Sequence, residues 1–543
     1  MNRFVRIVLC LLMSVSLCAC AKSEGPSEST AEVKEEETSS PATVTVNNVE
    51  SFYQSLVNEY GYVDMYNNET AAEAYSRYRG FAKKLLVDAC KENDNEIISP
   101  LSLYYAMAIL ANGAGGSTRA QLENALGMSV EDLNSFLKDL DSVHAGWDGQ
   151  AAFRKVNALW FNTAKGMKLK EGYKDTVSEY YGNGIGESDF TNASDLAEQV
   201  NYFASNCSYG TINDIVSAED FSSDTSFLIL NGLSTGDRWA FPFDASATAL
   251  QSFHNYKGED TVVEMMHQEL WGHWQGNGYS GFEKRLDNAV DFVAVLPDEG
   301  TDIYDFIAGM SDNIFNELRA TYEEYSNMTE DGNYGCTADE NITRLSFPKF
   351  DYEKEYDLNE VLSGMGLADI FDYTTSDFSE MAEGDPDLVS ALYLEKAKQK
   401  CTIKVNEEEV VATAVTVLAG GLGAGGCEIR ETIYHDLVFD RPFIFALMSG
   451  ETPLFYGVVT RLGEPADQLI RIENITGKIN IRNRPSKSGE KLGTYQKGEI
   501  IYAYEKVEAE GYTWYRIGED RWVADQKGGM DQGPGLRKEK KRS

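Results

Sequence analysis

The sequence predicts an α+β fold, with one large mixed domain over residues 71–465 and a small all-β barrel over residues 466–530. In the first stretch, segments with helical apolar spacing are mixed with alternating strand-like segments, and no internal repeat is found. In the second stretch, short strand-like segments are separated by Gly and Ser turns. The length of 543 residues and the apolar content of 42% are typical of a globular chain with more than one domain.

Charge separates the two parts of the chain. The whole chain carries a formal charge of −39 at pH 7, yet residues 475–543 hold fifteen Lys and Arg against ten Asp and Glu. The acidic body lacks the basic footprint that binds phosphates, so nucleic acid is excluded as a partner. The basic tail, residues 531–543, suits wall polymers or anionic lipid, and a solvated tail without a partner fits it equally well.

The N-terminus has the pattern of a targeting segment. Arg3 and Arg6 precede an apolar run too short for a comfortable membrane span, and residues 17–20 read LCAC. This tetrapeptide resembles the bacterial lipoprotein box, which implies a signal peptide at residues 1–19 and a lipidated Cys20 within a disordered acidic tether at residues 20–70. The expected location is the extracellular face of the bacterial cell membrane, held by a lipid anchor. A plain secretory signal and a retained anchor helix are the alternatives.

The sequence carries no pattern of an enzyme or a metal site. Five of the eight cysteines lie beyond Cys20, scattered and without metal spacing, so neither a disulfide framework nor a zinc site is predicted. His267 and His273 lie in an apolar-aromatic stretch, which predicts a structural role. No GxSxG motif and no ordered nucleophile-base set occurs. We therefore predict no enzymatic activity, no metal and no cofactor.

A helix-turn-helix pattern stands near the start of the large domain, in residues 96–128, EIISPLSLYYAMAILANGAGGSTRAQLENALGM. Ser99 followed by proline predicts a helix start, and an apolar stripe follows it. Residues 113–116 end that helix, and Ser117 and Thr118 are the predicted caps of the next. The stretch resembles the second-helix signature of the serpins, a family of protease inhibitors.

Further segments resemble the serpins in the family's order, across about 390 residues. They are VNALWF at 156–161, FLILNGLSTGDRWAFPF at 227–243, VEMMH at 263–267, FVAVLP at 292–297, FPKF at 347–350, DRPF at 440–443 and PLFYGVV at 453–459. The resemblance implies the serpin fold, which has three β-sheets, about nine helices and an exposed reactive centre loop.

A second resemblance covers residues 475–527. INIRNRPS at 479–486 and the pairs Trp514-Tyr515 and Trp522-Val523 resemble a bacterial SH3-type domain. Arg482, Trp514 and Trp522 are predicted to form barrel core and rim rather than a ligand pocket. The resemblance implies adhesion to peptidoglycan, another wall polymer or a partner protein.

Residues 405–426, VNEEEVVATAVTVLAGGLGAGG, are competent to form a strand. By resemblance they contain the serpin hinge and reactive loop. In that mechanism a protease cleaves the loop, the loop inserts as a new central strand, and the acyl-enzyme is trapped. The acidic hinge corresponds to Glu407 and Glu408, and the inward-facing positions are Val410, Ala412, Ala414 and Thr416. None of these four would bury a charge on insertion, which favours insertion.

Two hinge positions depart from the inhibitory pattern. Glu409 stands where inhibitory serpins usually have Gly, which reduces backbone freedom at the pivot, and Val411 stands where an acid or polar residue is common. After insertion Glu409 would face outward and keep its charge solvated.

Seventeen-residue spacing from Glu407 places the scissile bond at Gly423-Ala424. These residues favour a serine protease of the elastase or subtilisin type. Leu422, which suits a chymotrypsin-like enzyme, and Arg430, which suits a trypsin-like one, are alternative reactive residues. The chain is about eight residues longer than typical between hinge and DRPF, so the register of the bond stays open.

The resemblance also places the residues that control opening of the central sheet. Ser99, Ser102 and Asn231 correspond to the polar shutter cluster, and Gln399 stands where a His is usual. Gln can donate and accept hydrogen bonds, so the cluster is expected to survive with a different pH response. Trp239 corresponds to the tryptophan of the breach, the end of the sheet where insertion begins.

The sequence is therefore compatible with three functions. The leading one is a surface-tethered suicide inhibitor of serine proteases. The second is a non-inhibitory serpin scaffold that adheres to the cell wall through the SH3-type domain, and the third is an inhibitor of cysteine proteases.

Overall fold

The structure is a computed structural model. It describes residues 69–144, 154–181, 184–207, 214–221, 225–234, 237–258, 260–287, 290–331, 335–410, 427–465, 470–474, 478–496, 500–518, 521–526 and 536–538. The predicted signal peptide, Cys20 and almost all of the tether lie outside the described residues. So do Val411, Ala412, Ala414, Thr416, Leu422, Gly423 and Ala424. Within the described ranges, no helix combines the length and apolarity needed to cross a membrane.

Ten α-helices occur in the described residues, against the nine or so that the resemblance predicts, and two of them are single turns. They are α1 Glu69–Ala89, α2 Pro100–Gly113, α3 Gly116–Leu126, α4 Val130–His144, α5 Glu171–Tyr181, α6 Ala193–Cys207, α7 Ile303–Gly309, α8 Ile314–Ala320, α9 Asn359–Leu362 and α10 Pro386–Val389.

The strands of the large domain are β1 Glu96–Ile98, β2 Arg154–Asn162, β3 Lys168–Leu169, β4 Gly184–Ser188, β5 Phe227–Ser234, β6 Asp237–Arg238, β7 Ala249–His254, β8 Asp260–Trp271, β9 Tyr279–Arg285, β10 Val290–Pro297, β11 Tyr325–Asp331, β12 Gly335–Pro348, β13 Phe350–Asp357, β14 Ala382–Glu383, β15 Lys398–Val405, β16 Glu409–Val410, β17 Cys427–Val438, β18 Phe443–Ser449, β19 Thr452–Val459 and β20 Glu464–Pro465. The C-terminal strands are β21 Ile470–Asn474, β22 Ile479–Arg482, β23 Lys491–Tyr495, β24 Ile500–Ala503, β25 Glu505–Ala509, β26 Tyr512–Gly518, β27 Arg521–Gln526 and β28 Leu536–Lys538.

Helix α2 begins where the sequence predicts. Ser99 is its N-cap, with the hydroxyl accepting a hydrogen bond from the Ser102 amide, and Pro100 follows at the first helical position. Almost every residue of α2 is buried, so the helix lies inside the core instead of presenting a narrow apolar stripe.

The predicted caps of α3 are wrong. The N-cap is Gly115, which has no side-chain cap, because Ser117 and Thr118 already lie within the helix. Their hydroxyls bind elsewhere: Thr118 accepts from the Asp377 amide at 2.9 Å, and Ser117 donates to Asp369 at 3.0 Å.

The core lies between α1, α2 and a five-stranded sheet with the order β1-β19-β18-β10-β9. Strands β18 and β19 are buried at every residue, so both faces of this sheet are covered. A second sheet joins β7, β8, β11, β12, β17 and β20. In it β17, the first element after residues 411–426, runs parallel to β12.

Counted by their hydrogen-bonded ladders, the described strands of the large domain form six sheets, whereas the resemblance predicts three. Two of these sheets, β14-β3 and β16-β6, are pairs of two-residue strands. A further division separates β4-β2-β5 from β13-β15, because no ladder joins β5 to β15 in the described part of the chain.

The described C-terminal strands form two sheets, with the orders β23-β22-β27-β26-β25 and β24-β21-β28. Their small core contains Ile479, Ile481, Ile517 and Val523. Trp514 is 1% exposed, and Arg482 donates to the Gly489 carbonyl at 2.6 Å. These positions agree with a structural role for both residues, and the SH3-type identity of the domain stays a prediction.

Candidate functional site

The predicted hinge forms a tight turn directly after β15. The side-chain Oδ1 of Asn406 accepts hydrogen bonds from the amides of Glu408 and Glu409, both at 2.9 Å, and the Asn406 amide donates to the Glu409 carbonyl at 3.1 Å. Asn stabilises such turns because its side chain imitates a backbone carbonyl. The turn reverses the chain between β15 and β16, so a strand that continues from Val410 would run antiparallel to β15.

The turn is fastened to the segment around Trp239. The Trp239 amide donates to the Glu408 carbonyl at 3.1 Å, and the Phe243 amide donates to the Glu407 carbonyl at 2.9 Å. The indole Nε1 of Trp239 donates to the Asn406 carbonyl at 2.8 Å. Trp239 is 1% exposed, so these bonds are shielded from water. We call this set of contacts the hinge latch.

Glu407 anchors the latch through its side chain. Its carboxylate accepts from the Thr248 hydroxyl at 2.7 Å and lies 3.1 Å from Lys349 Nζ, which also lies 3.1 Å from Glu264. Burial alone would raise the pKa of Glu407, but hydrogen bonds from Thr248 and the backbone, with the charge of Lys349, outweigh burial and lower the pKa. Glu407 is therefore held as a carboxylate.

Glu409 does not strain the turn. It lies in strand β16, opposite Arg238, with an extended backbone that any residue adopts, so Gly is not required in this conformation. Its side chain is 23% exposed and lies 3.6 Å from Lys404. Having Glu instead of Gly at position 409 therefore causes no backbone strain in the latched state. It can affect only the change of conformation that releases the hinge. The preceding residue, Glu408, is exposed.

Val410 is already inside the protein. It is 1% exposed and pairs with Asp237 at the end of β16. It is the last described residue before residues 411–426, which contain the other predicted inward positions.

A buried lysine lies beneath the latch. Lys284 is 5% exposed, donates to the Phe241 carbonyl and to Gln268 Oε1 at 2.7 Å, and lies over the rings of Trp239 and Phe243 at 5.3 and 4.8 Å. Burial lowers the pKa of Lys284 to about 7. The described contacts of Lys284 include no carboxylate. Its charged form, which predominates at low pH, therefore lowers the stability of the folded protein.

Three of the four predicted shutter residues, Ser99, Ser102 and Gln399, lie together near the start of β15. Gln399 Oε1 accepts from the Ser99 amide at 3.0 Å, and its Nε2 donates to the Ser99 carbonyl at 2.9 Å. The Ser99 hydroxyl donates to the Leu454 carbonyl at 2.9 Å, and Ser102 is buried beside it. Asn231 lies in β5 opposite Asn157, and its side chain lies outside the described residues.

The space between β5 and β15 connects the shutter and the latch. The two strands are close to each other, yet they belong to different ladders in the described residues. Along β15, buried and exposed residues alternate without exception from Lys398 to Val405. An edge of this kind can accept another strand.

Several residues of the site were not found from the sequence. Asn406, Thr248, Lys349 and Lys284 support the hinge, but they come from four separate segments that only the fold brings together. The asparagine immediately before the acidic run was the one local signal. The proposed scissile residues lie outside the described residues. The alternative Arg430 falls in β17 at a shift of register against β12.

Comparison with known proteins identifies a family for the large domain. The family model described as Serpin (serine protease inhibitor) matches residues 76–462. Neuroserpin of Gallus gallus is 26% identical over 68% of this chain and 87% of its own length. A serpin-like protein of Methanosarcina acetivorans is 27% identical over 74% of this chain and 88% of its own length. The native crystal structure of the thermophilic serpin tengpin superposes with a TM-score of 0.60 at 26% identity, covering 73% of this chain and 95% of tengpin.

The family model covers well over half of the chain, and its limits fall inside the large domain that holds the latch, the shutter and the loop. The chain belongs to the serpin family.

Proposed function

We propose that this protein is a suicide inhibitor of serine proteases. The observation that supports this most directly is the position of the hinge: it directly follows β15, and Val410 is buried and pairs with Asp237 just beyond the end of β5, so the hinge lies beside the space between β5 and β15. A loop that continues from Val410 is therefore positioned to enter that space. Serpins are typically protease inhibitors, which agrees with this role.

In the proposed mechanism, the protease attacks the peptide bond at Gly423-Ala424 and forms an acyl-enzyme on Gly423. Cleavage frees the new end of the loop, which inserts antiparallel to β15 with Ala412, Ala414 and Thr416 on the same face as Val410. The protease moves with the loop, because it is still bonded to Gly423. No residue of the inhibitor performs chemistry.

The energy of insertion comes from the new ladder and from burial. Each backbone hydrogen bond contributes about 1 kcal/mol net, so a strand of about eight residues that is bonded on both sides contributes on the order of 10 kcal/mol. The latch around Trp239 and Glu407 must release first, which sets a barrier against insertion before cleavage.

We further propose the setting in which this inhibitor works. Cys20 carries the lipid, the acidic tether holds the body outside the bacterial membrane, and the C-terminal domain adheres to peptidoglycan or another wall polymer. Elastase-like or subtilisin-like proteases are the favoured targets, because the residues around the scissile bond are small.

The test uses the chain without residues 1–20, mixed with elastase-, subtilisin-, chymotrypsin- and trypsin-like serine proteases and with a papain-like cysteine protease. We expect a denaturing gel to show a stable covalent adduct with an elastase- or subtilisin-like enzyme, and mass spectrometry to place the cleavage at Gly423-Ala424. An adduct with the papain-like enzyme alone would support inhibition of cysteine proteases instead.

A matched pair of loop variants makes the test specific. Ala414→Arg puts a charge at an inward position and should turn the inhibitor into a substrate, whereas Val415→Arg faces outward and should retain adduct formation. Cleavage of the unaltered protein by every enzyme without any adduct would contradict inhibition and favour the non-inhibitory scaffold.

A further inference from the structure

Strand β17 holds the far end of the segment that contains the predicted reactive loop. It spans Cys427–Val438, directly after residues 411–426, and runs parallel to β12. Among the strands that the structure describes, β12 is its one ladder partner, so β17 lies at an edge of its sheet. The position of this end of the loop therefore depends on the side chains that tie the edge strand to other segments.

His435 ties β17 to a segment that is not part of β12. Its imidazole stacks on that of His273, with 3.8 Å between the ring centres and 10° between the ring planes. The backbone of His273 is fixed in turn: its amide donates to the Glu323 carbonyl at 3.0 Å, and its carbonyl accepts from the Glu323 amide at 2.9 Å. The ring of His273 is thus a fixed surface against which His435 packs.

Asn341 of β12 sets the protonation of the His435 ring. Its side chain is buried, and its Nδ2 donates to the Glu323 carbonyl at 3.4 Å, so Oδ1 is the atom that lies 2.9 Å from His435 Nε2. An amide oxygen only accepts, so Nε2 of the neutral imidazole carries the proton. The nitrogen of His435 that takes up a second proton in acid is therefore Nδ1.

The stack is stable while at least one ring is neutral, because two imidazolium cations at this separation repel each other. Burial first, and the neighbouring His435 second, lower the pKa of His273 from its ordinary value of 6.5 to about 4. Burial also lowers the pKa of His435, and the charge of Glu323 opposes that effect. The opened strand binds protons more tightly than the stacked one, so the stack is at full strength above pH 6.5 and weakens as the pH falls toward 4.

The histidines are the groups that change charge in this pH range. The ionisable groups on the elements packed around the pair are Glu323, Glu324, Asp339 and Glu431, with Glu340, Arg344 and Asp436 on the opposite face of the ladder. Carboxylates ordinarily titrate near about pH 4 and arginine does not titrate, so between about pH 6.5 and pH 4.5 these groups keep their charges.

We propose that His273 and His435 form an acid-sensitive clamp, which fixes β17 and the far end of the reactive loop at neutral pH and releases them in acid. The clamp depends on the ring stack and on the hydrogen bond to Asn341. It does not depend on protease inhibition, whereas its consequence for trapping rests on the proposed function.

The test is hydrogen exchange with mass spectrometry on the chain without residues 1–20, at pH 7 and pH 4.5, with intrinsic exchange rates corrected. Protection of residues 431–436 should fall at least about tenfold between the two pH values, because the opened strand binds protons more tightly. His273→Phe keeps an aromatic ring in the stack but takes up no proton, so the fall should be much smaller. The control is His254→Gln at an exposed histidine, which should behave as the unaltered protein does.

A second measurement reads the protonation of the rings directly. Nuclear magnetic resonance of selectively labelled histidines should show His273 titrating well below pH 6.5 in the unaltered protein. In His435→Phe its midpoint should rise, because the neighbouring charge is removed. An unchanged midpoint would overturn the proposal, since the two rings would then not act on each other.

Equal loss of protection at 431–436 in His273→Phe and in the unaltered protein would also overturn it. So would a loss that extends to the buried strands β18 and β19, because that indicates general unfolding in acid. If no protease forms an adduct at either pH, the proposed inhibition fails while exchange still decides the clamp. If adducts form with one protease that is active at both pH values, their yield should fall in acid more steeply for the unaltered protein than for His273→Phe.

Discussion

Trp239 and Asn406 are joined by a hydrogen bond of 2.8 Å from the indole Nε1 to the backbone carbonyl, at a site where the tryptophan is 1% exposed. This bond ties the residue before the acidic hinge to the segment that follows β6. Trp239 therefore holds the hinge through a hydrogen bond in addition to packing in the core.

Replacing Trp239 with Phe should loosen the hinge while leaving an aromatic ring in the core. The Asn406 carbonyl then loses a buried donor, and we expect the free energy of unfolding to fall by about 1–3 kcal/mol. Urea unfolding measures the loss. Trp271→Phe, at a residue that is 61% exposed, is the control and should change little. An equal loss in both variants would contradict a specific role for the indole bond.

Glu407 should make the hinge latch sensitive to acid. The pKa of Glu407 in the folded protein lies below its ordinary value of 4.5, so its stabilising contribution is fully present above that value and is lost as the pH falls through the lowered pKa. Glu407→Gln should reduce the free energy of unfolding by about 1 kcal/mol at pH 7 and by progressively less in acid. Thermal unfolding at several pH values measures the difference. The exposed neighbour gives the control Glu408→Gln, and a constant difference from pH 7 to pH 3 would refute the assignment.

Gln399 should stabilise the shutter through both ends of its amide. Gln399→Ala leaves the buried amide and carbonyl of Ser99 without this partner, which should cost about 2–4 kcal/mol. Gln399→His should recover part of the loss and add a dependence on pH near 6.5, because an imidazole titrates there. Chemical unfolding at pH 5 and pH 8 measures both effects. A Gln399→Ala variant as stable as the original would rule out this role.

The charged form of Lys284 should lower the free energy of unfolding more than the neutral form does. Burial lowers the pKa of Lys284 in the folded protein to about 7, below its ordinary value of 10.5, so the unfolded chain binds the proton more tightly and stability rises with pH between these values. Lys284→Met fills the same space without a charge and should raise the thermal midpoint more at pH 6 than at pH 9. Lys400→Met, at a side chain that is 49% exposed, is the control. A variant less stable than the original at pH 6 would show that the ammonium is well accommodated.

The family and much of the site were predictable because they depend on segments that are continuous in the sequence. The helix start at Ser99, the alternation along β15 and the acidic run at the hinge are all local patterns. The sequence predicts that the amide of Gln399 replaces an imidazole by donating and accepting hydrogen bonds, and its two bonds to Ser99 have that form.

The contacts that support the hinge were not predictable for a physical reason. Lys349 binds Glu407 across 58 positions of the chain, and Thr248 binds it across 159, so neither spacing has a periodicity that sequence reasoning can detect. The wrong caps of α3 have a different origin: Ser117 and Thr118 are good cap residues, but tertiary partners at Asp369 and Asp377 use their hydroxyls.

The central claim is that the segment from residue 411 to the cut enters the space between β5 and β15 once the loop is cleaved. The most direct measurement is the thermal midpoint of the ectodomain before and after one cleavage in this segment, with the products kept together. We predict a rise of at least about 10 °C, because insertion adds a ladder on the order of 10 kcal/mol. A midpoint that stays the same or falls after cleavage would contradict insertion, and with it the account of this protein as a protease trap.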